Sequence, residues 1–132
     1  MRPGCFDVIW AGKLVGDILS DQSAAISGSL GSLPSACVSH LSTGGRSEKP
    51  AIYEPVHGSA PDIAGTGSAN PIGAILSVAM LLEYSAAEHE SARKIEVAVE
   101  SALEAGFATP DLGGTNTTQE MTDEVIQQVL RA

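Results

Sequence analysis

A chain of 132 residues, with 43% apolar and only 4% aromatic residues, has room for one domain whose core must rest on Ala, Leu, Ile and Val. Its net charge of −9 argues against general binding to nucleic acid or to an anionic membrane, and is compatible with a divalent cation. Cys5 and Cys37 form no C-x-x-C pair and His40, His57 and His89 are scattered, which argues against a zinc site and for free thiols in a reducing compartment. No signal or transit pattern opens the sequence, and the apolar run over 72–82 is interrupted by Gly73 and Ser77 and is too short to span a bilayer. A soluble, cytoplasmic protein is the expectation.

Phe6-Asp7-Val8-Ile9-Trp10 is rich in β-formers and predicts a short strand ended by Gly12. A helix is predicted over 14–27, with Val15, Ile18, Leu19 and Ile26 on one side and Asp17 and Asp21 stacked four residues apart on one face. The stretch 28–34 reads as a turn. Residues 35–38 predict a second strand, 40–50 a polar surface loop and 51–53 a third strand. Asn70 is a natural N-cap and Pro71 suits the first turn of a helix running to about residue 84, apolar nearly all round. A further helix is predicted over 87–105, with Gly106 as its C-cap. After a Gly-rich turn at 111–116, Thr117-Thr118-Gln119-Glu120 matches a capping box and begins a last helix carrying Met121, Val125, Ile126, Val129 and Leu130.

The most informative stretch is Tyr53-Glu54-Pro55-Val56-His57-Gly58-Ser59-Ala60-Pro61-Asp62-Ile63-Ala64-Gly65, followed by Asn70-Pro71. Successive N–H groups in a Gly-Ser-Ala turn can form a concave site for a pyrophosphate. Gly58 allows close backbone approach. Asp62 can accept from both ribose hydroxyls and would repel a 2′-phosphate, which favours NAD over NADP. His57 can stack on or bond to adenine, Asn70 can bond its amino edge, and Glu54 can reach towards the nicotinamide. The glycine pattern is not a Rossmann fingerprint, since Asn70 stands where a third glycine should be in Gly65-Thr66-Gly67-Ser68-Ala69-Asn70. Taken singly, each residue favours a Pro- and Gly-rich connector with an ordinary buried histidine; the ordered combination favours the dinucleotide.

Asp17 and Asp21 can share a hard cation such as Mg²⁺ or Mn²⁺. From spacing alone two solvated acids are the simpler explanation, because such pairs are common on exposed helices. Glu96, Glu100 and Glu104 are most simply a solvated face. No Gly-x-Ser-x-Gly elbow and no cysteine–histidine pairing supports nucleophilic catalysis, and no catalytic residue is assigned.

These segments together resemble the β-decarboxylating dehydrogenases, above all the 3-isopropylmalate dehydrogenases. Phe6-Asp7-Val8-Ile9 with Gly16-Asp17-Ile18-Leu19-Ser20-Asp21 is similar to the family's metal-binding strand and helix. Gly28-Ser29-Leu30-Gly31 with Leu33-Pro34-Ser35-Ala36 is similar to the segment that follows, residues 53–84 to the cofactor loop and its helix, and Asp111-Leu112-Gly113-Gly114-Thr115 to the turn before the last helix. The resemblance implies an α/β fold: the C-terminal portion of a three-layer architecture, an incomplete sheet with covering helices, divided into a metal-binding strand–helix segment (1–28) and a cofactor-binding segment (29–132). It implies Asp17 and Asp21 as metal ligands, and Glu54, His57, Gly58, Ser59, Ala60, Asp62, Ile63 and Asn70 as contacts to NAD. The implied reaction is NAD-dependent oxidation and decarboxylation of a 2-hydroxy acid with Mg²⁺ or Mn²⁺. For the isopropylmalate members the substrate is 3-isopropylmalate, on the route to leucine.

The resemblance covers about the last third of the family's length. The family's substrate-binding arginines, its catalytic Tyr and Lys and a further metal-ligating Asp belong to the rest. Lys13 stands where the family usually has Asn, and Val15 replaces an aromatic residue. A chain of this span is expected to leave strand edges and part of the apolar helix uncovered, and to be inactive alone. The expected partner is a second copy in a homodimer or a full-length homologue in a heterodimer. Two other readings stay open: a non-catalytic regulatory or binding subunit pairing with a full-length homologue, and a related homoisocitrate or tartrate specificity.

Overall fold

Among the described residues, four α-helices and two strands follow one another as α1 (Lys13–Ser27), β1 (Pro34–Val38), β2 (Ala51–Pro55), α2 (Ile72–Leu81), α3 (His89–Glu104) and α4 (Thr118–Arg131). The computed structural model describes residues 3–39 and 45–132, so the part of the predicted loop over 40–44, with His40, lies outside the described residues. The α/β class stands. Among the described residues the sheet has two strands, β1 and β2, antiparallel with Ser35 opposite Glu54 and Ala36 opposite Tyr53.

The predicted strand over 6–10 does not form. Phe6, Val8, Ile9 and Trp10 are exposed, Trp10 by 95%, and no described strand lies beside them. Their β-propensity describes a fit to a pleated, half-buried surface, and with no ladder to join it cannot fix a strand by itself. The following helix forms as expected and ends at Gly28, whose φ of 90° lets its N–H close on the Ala24 carbonyl. It buries none of its residues. The apolar side carrying Val15, Ile18, Leu19 and Ile26 faces open space.

The remaining elements stack in the order sheet, α2, α3, α4. The all-round apolar character of α2 follows from its central place, since the sheet covers one side and α3 another. Val78 and Leu81 stay about half exposed, marking a side with no cover among the described residues. Past Leu81 the chain widens into a π-helical turn, Leu82–Ala86, and Ala87 turns left-handed at φ 58°. That turn delays α3 to His89, two residues after the predicted start. The capping box forms as read: Glu120 N–H donates to Thr117 Oγ1 at 3.2 Å, and Thr117 N–H to Glu120 Oε2 at 2.8 Å.

The core is a small-residue core, as the composition requires: Ile72, Ala98, Val99, Ala102, Met121 and Val125, with Leu76, Phe107 and Val129 against it. Alanines on α3 let α4 approach closely, and Met121 fills the space that results with no exposed surface. Two glycines set the position of the α2 N-terminus. A Cβ at Gly73 would stand 2.8 Å from the Gly31 carbonyl oxygen, and one at Gly31 would stand 2.9 Å from Asn70 Cβ. Backbone therefore packs on backbone where α2 begins.

Met121→Ala should destabilise the chain by about 2–4 kcal/mol, because the void lies between two packed helices. Leu130→Ala, at a position 75% exposed, should change stability by about 0.5 kcal/mol or less. Urea unfolding followed by circular dichroism reads both; equal effects would contradict this placement of the core.

Candidate functional site

Residues 56–70 form a surface loop between β2 and α2. Its first end is aimed by the strand. Tyr53 and Glu54 point to opposite faces of β2, and the Tyr53 hydroxyl is 2.8 Å from Ser85 Oγ at the end of α2. Glu54 is thereby directed to the exposed face. Val56 N–H donates to the Leu33 carbonyl and extends the pairing by one residue.

His57 is half-buried and its Nδ1 lies 2.8 Å from the Gly58 carbonyl oxygen. A carbonyl only accepts, so Nδ1 is the protonated nitrogen, and in the neutral ring Nε2 is left as an acceptor. Gly58, Ser59, Ala60, Asp62 and Ile63 are exposed. A Cβ at Gly58 would meet nothing within 4 Å and its φ is not positive, so no described neighbour demands a glycine there. The open space above it is what a phosphate would need. Among the described residues, the N–H groups of Gly58, Ser59 and Ala60 donate to no protein acceptor. Ala60 is left-handed at φ 42°, a conformation that costs an L-residue roughly 1 kcal/mol and that belongs to the turns in which successive N–H groups can form an anion-binding concavity. The loop then closes on itself through Ile63 N–H to Ala60 O and Thr66 N–H to Ile63 O.

The other end of the loop is held from below. Thr118, the first residue of α4, donates its N–H to Gly67 O at 2.8 Å and its hydroxyl to Ala69 O at 2.5 Å. Asn70 is buried, and its side chain is fully engaged inward: Oδ1 accepts from Ile72 N–H at 2.9 Å, capping α2, and Nδ2 donates to Asp111 Oδ2 at 3.0 Å. Asn70 therefore caps its helix as predicted, but it turns its amide away from the open face on which the adenine edge was expected. Asp111 also accepts from Thr109 Oγ1 at 2.6 Å and from Ser29 Oγ, which itself accepts from Gly31 N–H. Partial burial pushes the Asp111 carboxyl upward, but the bonds from Ser29, Thr109 and Asn70 outweigh it and hold the group below the usual carboxylate range. Ser29 and Thr118 escape a reading of local motifs, because their partners lie 82 and 49 residues off in sequence; Thr109 bonds Asp111 only two residues on, within its own turn. The capping chemistry of Asn70 was the one local signal of this anchor.

Asp17 and Asp21 sit on α1, both exposed. Among the described residues no group of three or more His, Cys, Asp or Glu side chains converges as a metal site. The two acids are half of a hard-cation set at most, and nothing brings them to the cofactor loop. A cleft of about 620 Å³ lies elsewhere, between α2 and α3, walled by Leu76, Val99, Leu103 and Phe107, and no predicted site residue lines it. The loop is thus an open, one-sided surface with a fixed base.

The family described as isocitrate/isopropylmalate dehydrogenase matches residues 1–125. The 3-isopropylmalate dehydrogenase of Streptococcus pneumoniae is 50% identical over 128 residues, which are 97% of this chain and 35% of that protein. That of Zymomonas mobilis is 53% identical over 124 residues, 94% of this chain and 34% of that protein. Among solved structures, isocitrate dehydrogenase from Methylococcus capsulatus superimposes with a TM-score of 0.84 at 40% identity, covering 98% of this chain and 36% of that one. A β-decarboxylating dehydrogenase from Thermococcus kodakarensis gives 0.74 at 42%, covering 89% and 32%. The chain spans about a third of the length of the relatives it matches.

The anchor gives a pH dependence of definite sign. Folding lowers the Asp111 pKa, so its contribution to stability is complete above the ordinary value of 3.8 and is lost as pH falls through the lower folded value. Melting from neutrality down to about pH 2 should show Asp111→Asn well below wild type at neutral pH and converging on it in acid. A constant gap would contradict the assignment. Glu120 in the capping box is lowered too, but is common to both proteins.

Proposed function

The chain belongs to the isocitrate/isopropylmalate dehydrogenase family, and we propose that it supplies the dinucleotide-binding face for NAD-dependent oxidative decarboxylation of a 2-hydroxy acid. The substrate we assign is 3-isopropylmalate, in leucine synthesis, because relatives of that name are about half identical to this chain. The observation that carries the reading is the turn at 57–63, with N–H groups free of protein acceptors, open space over Gly58 and a strained Ala60. These features have no use in holding the fold together. They suit the pyrophosphate and adenosine of a dinucleotide.

In this reading Gly58, Ser59 and Ala60 receive the pyrophosphate, and Asp62 accepts from the ribose hydroxyls. The free Nε2 of His57 and the apolar flank of Ile63 serve the adenine, and Glu54 faces the nicotinamide end. Asn70 contributes by fixing the base of the loop. Bound NAD⁺ supplies the acceptor for the hydride that leaves the hydroxyl-bearing carbon. Asp17 and Asp21 would hold Mg²⁺ or Mn²⁺ only in part, since these two carboxylates need further ligands. No step of the reaction is derived through the ion.

Among the described residues no helix is long and apolar enough to cross a membrane, and both cysteines are free and exposed. We assign the protein to a reducing compartment, the cytoplasm. A second reading is favoured by one observation, the exposed apolar set Phe6, Val8, Ile9, Trp10, Val15 and Ile18. Here the chain is a subunit without activity of its own that pairs with a longer homologue through α1 and the segment before it. Co-elution with such a homologue, abolished by Ile18→Asp, is the expected result; elution as two independent species would contradict it.

NAD⁺ should bind this chain at least about tenfold more tightly than NADP⁺, and Asp62→Ala should narrow that ratio to about threefold or less. Equal affinities in the wild-type chain would contradict the assignment of Asp62. Alone, with Mg²⁺ and 3-isopropylmalate, the chain should reduce no NAD⁺; turnover by the pure chain would show that its described residues hold a complete site.

A further inference from the structure

The polar group with the most long-range partners in this fold lies beneath the loop. Asp111 accepts from Ser29, Thr109 and Asn70, and these partners are 9%, 0% and 7% exposed. They come from three separate places: the turn after α1, the end of the cofactor loop, and the turn before α4. We propose that Asp111 is a positioning residue for dinucleotide binding, its carboxylate fixing the Asn70 amide and thereby the direction in which the chain leaves the 57–69 loop. This role rests on the dinucleotide reading of that loop.

The hydrogen bonding leaves a single arrangement. A carboxylate cannot donate, so the edge of Asn70 that faces it must be Nδ2, and Oδ1 must then face Ile72 N–H. Rotating the amide would set donor against donor at the start of α2 and oxygen against oxygen at Asp111. Asp111 is itself unable to swing, since Thr109 holds Oδ1 and Ser29 shares Oδ2 with Asn70. Ser29 is held in turn by Gly31 N–H at 2.9 Å. Gly31 leaves the room for the pair, because a Cβ there would reach Asn70 Cβ at 2.9 Å and Asp111 Oδ2 at 3.2 Å. The hydrogen bonds of residues 58–66, by contrast, stay within the loop and its immediate flanks.

A ligand on the open face therefore meets a loop held by β2 at its start and by Asn70 at its end. Without the anchor, binding would have to order that end as well, and affinity would fall by that amount. Asp111 bonds neither His57 nor any of residues 58–63, so its removal would act through Asn70.

The test is titration of the 132-residue chain with NAD⁺, followed by ¹H–¹⁵N amide shifts. In wild type the shifts should concentrate in 57–63. Asp111→Ala should weaken NAD⁺ at least about tenfold, the loss of a partly buried charge-assisted hydrogen bond, while amides of α3 and α4 keep their positions. Asp111→Asn keeps one acceptor oxygen, and should weaken binding by about three- to tenfold; it also serves if the alanine variant does not fold. Val125→Ala, in the core and away from the loop, should lower the melting temperature yet leave NAD⁺ affinity within about twofold. Wild-type affinity in either folded Asp111 variant would overturn the proposal while the dinucleotide reading stands. So would an equal loss in Val125→Ala, which would reduce the effect to general stability. If NAD⁺ shifts no amide of 57–63 in wild type, the dinucleotide reading fails and the positioning role fails with it.

Discussion

The Asp111 carboxylate, which accepts from Ser29, Thr109 and Asn70, holds together the part of this molecule that carries its chemistry. Asp111 itself is an exposed residue, but its donors are buried. Partial desolvation of the carboxyl raises its pKa, and the three donors outweigh that and hold it below the usual carboxylate range. Ser29 and Asn70 come from other segments, so the network closes only when the turn after α1, the base of the loop and the turn before α4 have met. Hydrophobic burial cannot impose such a meeting with the same directionality, because it is blind to orientation. The small core of Ile72, Val99, Ala102, Met121 and Val125 brings α2, α3 and α4 together; the Asp111 network sets how the loop emerges from them.

From this base the loop divides into two regimes. Residues 67–70 are tied to Thr118 and Asp111. Residues 58–63 make only local turns, and the N–H groups of Gly58, Ser59 and Ala60 have no protein acceptor among the described residues. A binding surface needs both properties. A loop anchored throughout would have spent its donors internally, and one free throughout would have to be ordered by its ligand. The left-handed Ala60 belongs to the same economy, since its conformation is one of the turns in which N–H groups can form an anion-binding concavity and its strain is tolerated because both flanks are fixed.

Much of this was legible in the sequence, for identifiable reasons. Periodic apolar residues gave away α1, α3 and α4, and the Asn70-Pro71 start before a nearly unbroken apolar run gave away α2. The Thr117–Glu120 box and the Gly28 and Gly106 termini have local chemistry that needs no tertiary context. The stretch from Glu54 to Asn70 carried the family by its order of residue types, and residues 1–125 match that family. The segment 6–10 misled, because a strand is a property of a sheet: Val8, Ile9 and Trp10 have the right side chains and no described partner. The inward turn of Asn70 was hidden for a related reason. Its partner Asp111 lies 41 residues away, and Ser29 lies 82 residues from the same carboxylate. Nothing in either neighbourhood announces the other.

Hydrogen–deuterium exchange of the 132-residue chain, read by mass spectrometry with and without NAD⁺, tests the division between fixed base and open face most directly. The account predicts slow exchange at 112–114 and 116–118, whose N–H groups are bonded within the base, in both states, and fast exchange at 57–63 that slows when NAD⁺ is present. Fast exchange at 112–118 without ligand, or no slowing at 57–63 with saturating NAD⁺, would contradict it.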